Sequence, residues 1–327
     1  MMARHWVTIG KAALSAAIIA WLLRSLDYRQ LLEAVGRLSA AALAAAAGCF
    51  VLQAAVVAWR WQRIVQRLGG QLPLRNAIDL VFAGIFFNQL LPTSVGGDVV
   101  RVVGLHRLGT ASGAAFHSVA IERLSGVTAL GLMITACLPA MWSDLPSALR
   151  VPLALCGPGL LLLTAALAFV DRLPRAILAR PLRQPATDLA TALRGVGSRA
   201  RDLGELAVLG VAAQLGVVVP AWVLGHALGI DQPLAVYVVA VGGAILLSAL
   251  PISLGGWGVR EATLVGLFGL AGASAESVIT LSLVWALLPA LISVPSGLLW
   301  WRTMRGRPRD RVDPTEAPVR GDGPGSS

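Results

Sequence analysis

Two segments of the chain share a pattern, L-P-x-S-x-G-G-x-x-V-R, whose residue types suit the binding of an anion. The first copy occupies residues 91–101, and the second, at residues 250–260, begins 159 positions later. In each copy the proline disfavours helix at the residue before it, and the paired glycines allow a tight backbone. The serine is placed to cap a helix that restarts after it. The free N–H groups of such a helix start favour phosphate or carboxylate.

Charged residues occur beside both copies, inside stretches that are otherwise apolar. They are three arginines and three carboxylates: Arg101, Arg123, Arg260, Asp98, Glu122 and Glu261. A charge at membrane depth is costly unless it is paired or faces water, so each of these residues is a candidate for function. In the alternative interpretation the carboxylates only neutralise the arginines and stabilise the fold, as Asp98 and Arg101 would at i, i+3.

These features together predict one site for a lipid headgroup, to which both copies contribute. Its predicted residues are Asn88, Pro92, Ser94, Gly96, Gly97, Asp98, Arg101, Glu122, Arg123, Pro251, Ser253, Gly255, Gly256, Arg260 and Glu261. The cysteines and histidines are scattered without the spacing of a metal site, so we expect neither a metal nor a cofactor. No histidine–carboxylate pair or nucleophile motif predicts a catalytic residue.

The composition is that of an integral membrane protein. Of the 327 residues, 56% are hydrophobic and 13% are charged, and the mean hydropathy is +0.74. Both values lie far from those of soluble globular proteins. The formal charge of +10 comes almost entirely from arginines. Most of them lie beside apolar segments, which predicts anionic lipids as partners and excludes nucleic acid.

The apolar segments predict an all-α, polytopic membrane protein with about six full spans. The predicted spans are residues 6–23, 38–59, 111–142, 151–170, 205–228 and 278–301. The first of them could instead be a signal peptide, although no small-residue cleavage site follows it cleanly. Shorter segments flank the two copies of the pattern: 76–91 with 99–108, and 234–250 with 259–271. At about 1.5 Å per residue these are too short to cross about 30 Å, so we predict two re-entrant hairpins.

The distribution of basic residues predicts the orientation. With a cytoplasmic N-terminus, inner segments hold 20 lysines and arginines and outer loops hold four. Arg60 is counted among the inner residues, at a membrane interface. Both termini are then cytoplasmic, and the two halves are related by inversion in the membrane.

The predicted organisation is one membrane domain and a tail. The membrane domain covers residues 1–303, with repeat one at about 6–142 and repeat two at about 151–301. A polar cytoplasmic linker, 171–204, lies inside repeat two. Residues 304–327 are rich in proline, glycine, arginine and aspartate and should form a disordered cytoplasmic tail.

Three segments resemble the signature blocks of the lysylphosphatidylglycerol synthase transmembrane-region family, whose members are also called flippase-like proteins. The segments are residues 88–101, 122–126 and 250–262, and the resemblance covers roughly residues 6–303. It implies movement of a lipid across the bilayer, and relatives are linked to hopanoid and polyprenyl-glycolipid handling. The aminoacyl-transferring activity of that family belongs to a separate soluble domain. We expect that domain to be missing here, because only 26 mostly polar residues follow Trp301.

The sequence therefore predicts translocation of a phospholipid, an aminoacyl-lipid or an isoprenoid-type lipid across the inner (plasma) membrane. One alternative is a membrane-embedded transferase in which Asp98, Glu122 or Glu261 acts as general base on a lipid-linked donor. Another is an accessory protein that presents lipid to a separately encoded transferase, for example in phosphatidylglycerol lysylation or glycolipid synthesis.

Overall fold

A computed structural model describes residues 38–90, 96–172, 180–249 and 258–305, together with Glu33 and Gly36. Across these ranges the regular structure is helical, without a strand. The helices are α1 Ala40–Arg67, α2 Leu74–Leu90, α3 Gly96–Arg107, α4 Ser112–Cys137, α5 Ser147–Ala168, α6 Arg180–Val196, α7 Ala200–Ala227, α8 Leu234–Ala249, α9 Val259–Leu270 and α10 Ala275–Arg305. Two 3₁₀ turns, Leu138–Met141 and Val170–Arg172, follow α4 and α5.

Five helices are long and apolar enough to cross a membrane. They are Ala40–Arg67, Ser112–Met141, Ser147–Ala168, Ala200–Ala227 and Ala275–Trp300. Many leucines on these helices point outward, including Leu162 and Leu291, whose residues are 70% and 67% exposed. An apolar outer surface of this extent fits contact with lipid rather than water. The chain is thus a multi-pass integral membrane protein, and the predicted span at 6–23 lies outside the described residues.

Four shorter helices flank the two copies of the duplicated pattern. α2 and α8 contain 17 and 16 residues, and α3 and α9 contain 12 residues each. At about 1.5 Å per residue they extend roughly 18 to 26 Å, less than the hydrocarbon thickness of a bilayer. The helical arms predicted on both sides of each break are confirmed. The breaks themselves, residues 91–95 and 250–257, lie outside the described residues.

The same sequence of helix lengths occurs in both halves. α1 and α7 contain 28 residues each, and each is followed by a glycine with positive φ, Gly69 and Gly229. α3 and α9 are likewise followed by Gly109 and Gly272, also with positive φ. A glycine in the left-handed region ends a helix without steric penalty. These glycines occupy equivalent positions in the two halves, so residues of one half can be aligned with residues of the other by their distance from them.

Helices of the first half pack mainly against helices of the second half. α1 lies along α7, α2 packs against α10, and α4 packs against α8. The largest group of buried apolar residues includes Tyr237, whose hydroxyl donates a hydrogen bond of 2.8 Å to the carbonyl of Ile230. The space between the halves is therefore enclosed by elements of both.

The segment predicted as a polar linker, 171–204, contains regular structure. α6 occupies Arg180–Val196, and α7 begins at Ala200, five residues earlier than predicted. Apolar residues spaced for one helix face, Leu189, Leu193 and Val196, pack with Ile64 and other apolar residues of the neighbouring helices. This apolar face is hard to recognise in the sequence, because the segment as a whole is rich in arginine.

Candidate functional site

A cavity of about 450 Å³ lies between the two halves. Residues of α1, α2, α3 and α4 line one part of it, and residues of α7, α8, α9 and α10 line the other. Five residues of the predicted site face it: Asn88, Arg101, Glu122, Arg123 and Arg260. The structure thus brings together arginines that are far apart in the sequence.

Glu122 lies at the centre of a buried charge cluster. Its residue is 4% exposed. Oε1 accepts a hydrogen bond from Arg60 Nη2, and Oε2 accepts one of 2.9 Å from Arg101 Nη1. The three residues come from α4, α1 and α3, so one carboxylate joins three helices. Because two guanidinium groups share one carboxylate, this triad keeps a net positive charge.

Arg60 is the cluster member that sequence reasoning misplaced. It was predicted at a membrane interface beside Trp59, but the structure extends α1 to Arg67 and buries Arg60 to 2% exposure. Two glycines of neighbouring helices leave room for its guanidinium. A Cβ added at Gly126 would lie 3.1 Å from Nη2, and one at Gly210 would lie 3.5 Å from Nη1. The helix stop at Gly69 was the sequence signal that could have placed Arg60 inside the helix.

Arg101 is held on three sides. Besides Glu122, its Nη1 lies 3.7 Å from Asp98 Oδ1, and its guanidinium carbon lies 4.3 Å from the ring centroid of Trp61. Trp61 is itself fixed, because its Nε1 donates a hydrogen bond of 3.0 Å to Ser118 Oγ. A cation over an aromatic face is stabilised further when both are buried. The buried tryptophan therefore sets the position of the arginine.

Asp98 contacts Arg101 at i, i+3, but it pairs more closely with a residue of the next helix. Arg123 donates to it from Nε, at 3.0 and 2.9 Å to the two oxygens, and from Nη2, at 2.8 Å to Oδ1. The contact to Arg101 is longer, at 3.7 Å. This fork geometry is the stronger form of an arginine–carboxylate pair. It ties the start of α3 to α4.

Buried N–H groups in the cluster lack acceptors. Within the part of the chain that the structure describes, Arg60 Nε and Nη1 and Arg101 Nε and Nη2 are buried and make no hydrogen bond. A buried donor without a partner costs about 1–3 kcal/mol, and more for a charged group. Both side chains line the cavity. An anion bound there would supply the missing acceptors.

In the second half the charged residues interact locally. Arg260 Nε donates a hydrogen bond of 2.8 Å to Oε1 of the adjacent Glu261. Glu261 Oε2 accepts one of 2.7 Å from the N–H of Gly258, and its Oε1 accepts one of 3.1 Å from Ser282 Oγ. The guanidinium carbon of Arg260 lies 5.9 Å from the ring centroid of Trp285. Glu261 therefore caps the start of α9 and also holds Arg260 beside the cavity.

The start of α3 is fixed by two residues of α2. Asn88 Oδ1 accepts a hydrogen bond of 2.7 Å from the N–H of Gly97, which satisfies one of the free donors at the helix start. Gly97 packs directly on Gly84, and a Cβ at Gly97 would overlap the Gly84 carbonyl. Gly96 is buried beside it. The remaining predicted site residues lie outside the described residues: Pro92, Ser94, Pro251, Ser253, Gly255 and Gly256.

Metal-ligating side chains do not converge in the described parts of the chain. No group of three histidines, cysteines, aspartates or glutamates there could hold an ion. Cys49, Cys137 and Cys156 are free thiols. The arrangement that can act chemically is the set of guanidinium groups around the cavity, which suits the binding of an anion.

Comparison with known proteins agrees with the sequence pattern. The family model described as "Lysylphosphatidylglycerol synthase TM region" matches residues 8–297. The match includes both copies of the duplicated pattern and every residue that lines the cavity. No match to a curated protein accompanies it. With nearly its whole length matched, the chain belongs to the lysylphosphatidylglycerol synthase transmembrane-region family.

Proposed function

We propose that this protein moves a phosphate-bearing lipid across the inner (plasma) membrane, with the headgroup passing through the cavity between the halves. The observation that carries the proposal is the set of unpaired guanidinium N–H groups of Arg60 and Arg101 at that cavity. Phosphate oxygens accept hydrogen bonds from arginine in paired geometry, and the bonds are charge-assisted. The lipid tails would stay in the bilayer, against the apolar outer surface.

The proposed topology has both termini in the cytoplasm and the two halves inverted relative to each other. The charge count of 20 inner to four outer basic residues supports this orientation. The pairs α2–α3 and α8–α9 act as re-entrant hairpins that enter from opposite faces. Their lengths support this, since none exceeds 17 residues. Such broken helices form the substrate sites of many inverted-repeat transporters.

The route of the headgroup follows from the positions of the two duplicated arginines. Arg101 belongs to the first half and Arg260 to the second, and both line the same cavity. Under the proposed inversion, one arginine would approach from each side of the membrane. A phosphate could then pass from one guanidinium to the other without leaving a basic environment. The low exposure of both side chains, 5% and 15%, supports a pathway shielded from bulk water.

The transferase alternative is disfavoured by the state of the three carboxylates. A general base must reach the proton that it abstracts with a free oxygen lone pair. Glu122 is shared by Arg60 and Arg101, and Asp98 accepts three hydrogen bonds from Arg123. Glu261 is occupied by Arg260, Ser282 and the start of α9. Each is better suited to hold an arginine than to accept a proton.

The test is transport by the purified protein in liposomes that contain fluorescently labelled phosphatidylglycerol. A membrane-impermeant reductant bleaches the label on the outer leaflet. Wild-type protein should render most of the inner-leaflet label accessible, whereas empty liposomes should protect nearly all of it, which is about half of the total label. If a correctly folded Arg101→Ala variant exposed the inner-leaflet label as fully as the wild-type protein does, a role for the cavity would be contradicted. A protein that moves no lipid alone, yet raises the output of a lipid transferase in membranes, would favour the accessory alternative.

A further inference from the structure

We infer that the cavity selects a lipid whose headgroup carries net negative charge and no ammonium group, and that it rejects an aminoacylated headgroup. The inference rests on the proposed function and narrows its substrate class. It departs from what the family's description alone would lead one to expect. It is carried by the charges at the cavity, by the occupancy of the carboxylates and by the unpaired donors.

The ionisable groups that line the cavity are strongly unbalanced. They are four arginines, Arg60, Arg101, Arg123 and Arg260, and one carboxylate, Glu122. Asp98 and Glu261 pair with two of these arginines from outside the lining. Counting them leaves four positive and three negative charges, a net charge of +1. A headgroup with one negative charge would neutralise this site, whereas a cationic headgroup would raise its charge.

Each carboxylate near the cavity is already paired with at least one guanidinium group. Both oxygens of Glu122 accept from guanidinium groups, and both oxygens of Asp98 accept from Arg123. Glu261 accepts from Arg260 and from the backbone of Gly258. An ammonium group is stable at low dielectric only beside an anion or several carbonyl oxygens. An ammonium group would have to share one of these carboxylates with its arginine and would then lie close to a like charge.

The unpaired donors match a phosphodiester. Arg60 and Arg101 bind opposite oxygens of Glu122 and are therefore held close together in one cluster. Each keeps two buried nitrogens without an acceptor. A phosphodiester offers two anionic oxygens for such donors and brings the single charge that the site lacks. Arg60, which the duplicated pattern does not contain, is thus a specificity-determining residue.

The experiment measures lipid binding separately from transport. Native mass spectrometry of the detergent-solubilised full chain would compare phosphatidylglycerol, phosphatidylethanolamine and lysyl-phosphatidylglycerol, which carry about −1, 0 and +1 charge. We expect phosphatidylglycerol to bind at least about tenfold more tightly than the lysyl lipid, because a like charge at short range is strongly repelled in a desolvated site. Equal or tighter binding of the lysyl lipid overturns the inference. Displacement of phosphatidylglycerol by an equal concentration of inorganic phosphate would also overturn it, since the site would then take a free anion.

Matched variants separate the cavity charge from the overall charge. Arg60→Gln removes one positive charge from the cavity and should reduce the preference for phosphatidylglycerol several-fold. Arg63→Gln makes the same change one turn later in α1, at a residue that does not line the cavity, and should leave the preference unchanged. An equal loss of preference in both variants counts against the inference.

A double variant guards against loss of folding. Arg60→Gln with Glu122→Gln restores the net charge of +1, because it removes one charge of each sign. It should recover the preference for phosphatidylglycerol over the lysyl lipid, and failure of a folded double variant to do so overturns the inference. Selective binding without transport would contradict the proposed function alone. Transport of both lipids at one rate would contradict the selectivity alone.

Discussion

The two duplicated arginines occupy the same position in their copies of the pattern, but the two halves hold them in different ways. Arg101 reaches across to α4 and packs on a tryptophan of α1, and its side chain is 5% exposed. Arg260 is paired with its own sequence neighbour, Glu261, and its side chain is 15% exposed. The first half therefore builds its site from contacts between helices. In the second half the arginine and its carboxylate lie on the same helix start, with Ser282 and Trp285 of α10 beside them.

Alignment of the two halves on their glycines with positive φ shows which equivalent positions carry different residues. Arg60 and Pro220 each lie nine residues before the glycine that follows their helix, Gly69 or Gly229. By the same measure, Glu122 and Trp285 each lie 13 residues after a left-handed glycine, Gly109 or Gly272. Two positions that carry charge in the first half thus carry proline and tryptophan in the second. The first half therefore holds more buried charge than the second, in which Glu261 is also buried.

Removal of Glu122 should have the largest effect of the changes that test this difference between the halves. Glu122→Gln removes the carboxylate that Arg60 and Arg101 share and leaves Arg101 only its longer contact to Asp98, so the protein should lose roughly 3–5 kcal/mol of unfolding free energy. Glu261→Gln removes the partner of one less buried arginine and should cost about 1–3 kcal/mol. Denaturant unfolding in detergent, followed by tryptophan fluorescence, measures both. A larger loss for Glu261→Gln would mean that the second half, not the first, depends more on its carboxylate.

Removal of the arginines should affect transport more than stability. Arg101→Ala still leaves Glu122 paired with Arg60, so the variant should fold, but it loses a charge-assisted contact to the headgroup. That contact is worth about 1.5–3 kcal/mol, which predicts a transport rate roughly 10- to 100-fold lower.

Arg260→Ala should reduce the rate less, because Arg260 remains engaged with Glu261 in the wild-type protein. Liposome transport assays at matched protein density compare the two variants. Equal losses would show that the halves contribute equally despite their different geometry.

A glycine-to-alanine substitution tests whether Arg60 needs the space that Gly126 leaves for its guanidinium. A Cβ at Gly126 would lie 3.1 Å from Arg60 Nη2, so Gly126→Ala should displace the guanidinium and cost about 1–3 kcal/mol. Gly113 lies in the same helix with nothing within 4 Å of its Cβ position, so Gly113→Ala should be neutral or slightly stabilising. Unfolding free energies of the two variants give the answer. Similar unfolding free energies for the two variants would mean that the Arg60 guanidinium can shift without cost when Gly126 is replaced.

The smallest effect is expected at an exposed ion pair far from the cavity. Arg194 on α6 donates two hydrogen bonds of 2.7 Å to Asp171, and these bonds lower the pKa of Asp171 below its ordinary value. Because the folded pKa is depressed, the stabilisation is present above the unfolded pKa of about 4 and is lost as the pH falls through the folded value.

The protection factors of the α6 amides, which are corrected for the pH dependence of intrinsic exchange, should therefore fall slightly as the pH is lowered from about 5 to about 2. Asp171→Asn should abolish that pH dependence, whereas Asp188→Asn on the same helix should preserve it. Persistence of the full effect in Asp171→Asn would assign it to another group.

Local patterns in the sequence determined most of the helices. Apolar runs of about 20 residues predicted the spans. A proline followed by two glycines predicted that helices would end before each copy of the pattern and begin again after it, as α2, α3, α8 and α9 do. The charge distribution predicted a membrane protein with basic groups beside its breaks. The sequence also indicates Arg101, Glu122 and Arg260 as candidate functional residues, because a charge inside an apolar stretch is costly unless it is paired or faces water.

Only the tertiary structure decided which of these charges meet. Asp98 pairs with Arg123 rather than mainly with Arg101, and Arg60 joins Glu122 from a helix 62 residues away in sequence. Helix periodicity fixes which face a residue occupies, but it does not fix which neighbouring helix lies against that face. That choice depends on the packing of the two halves, and in particular on glycines such as Gly126 and Gly210 that admit a guanidinium between helices. The cavity between the halves is a product of that packing.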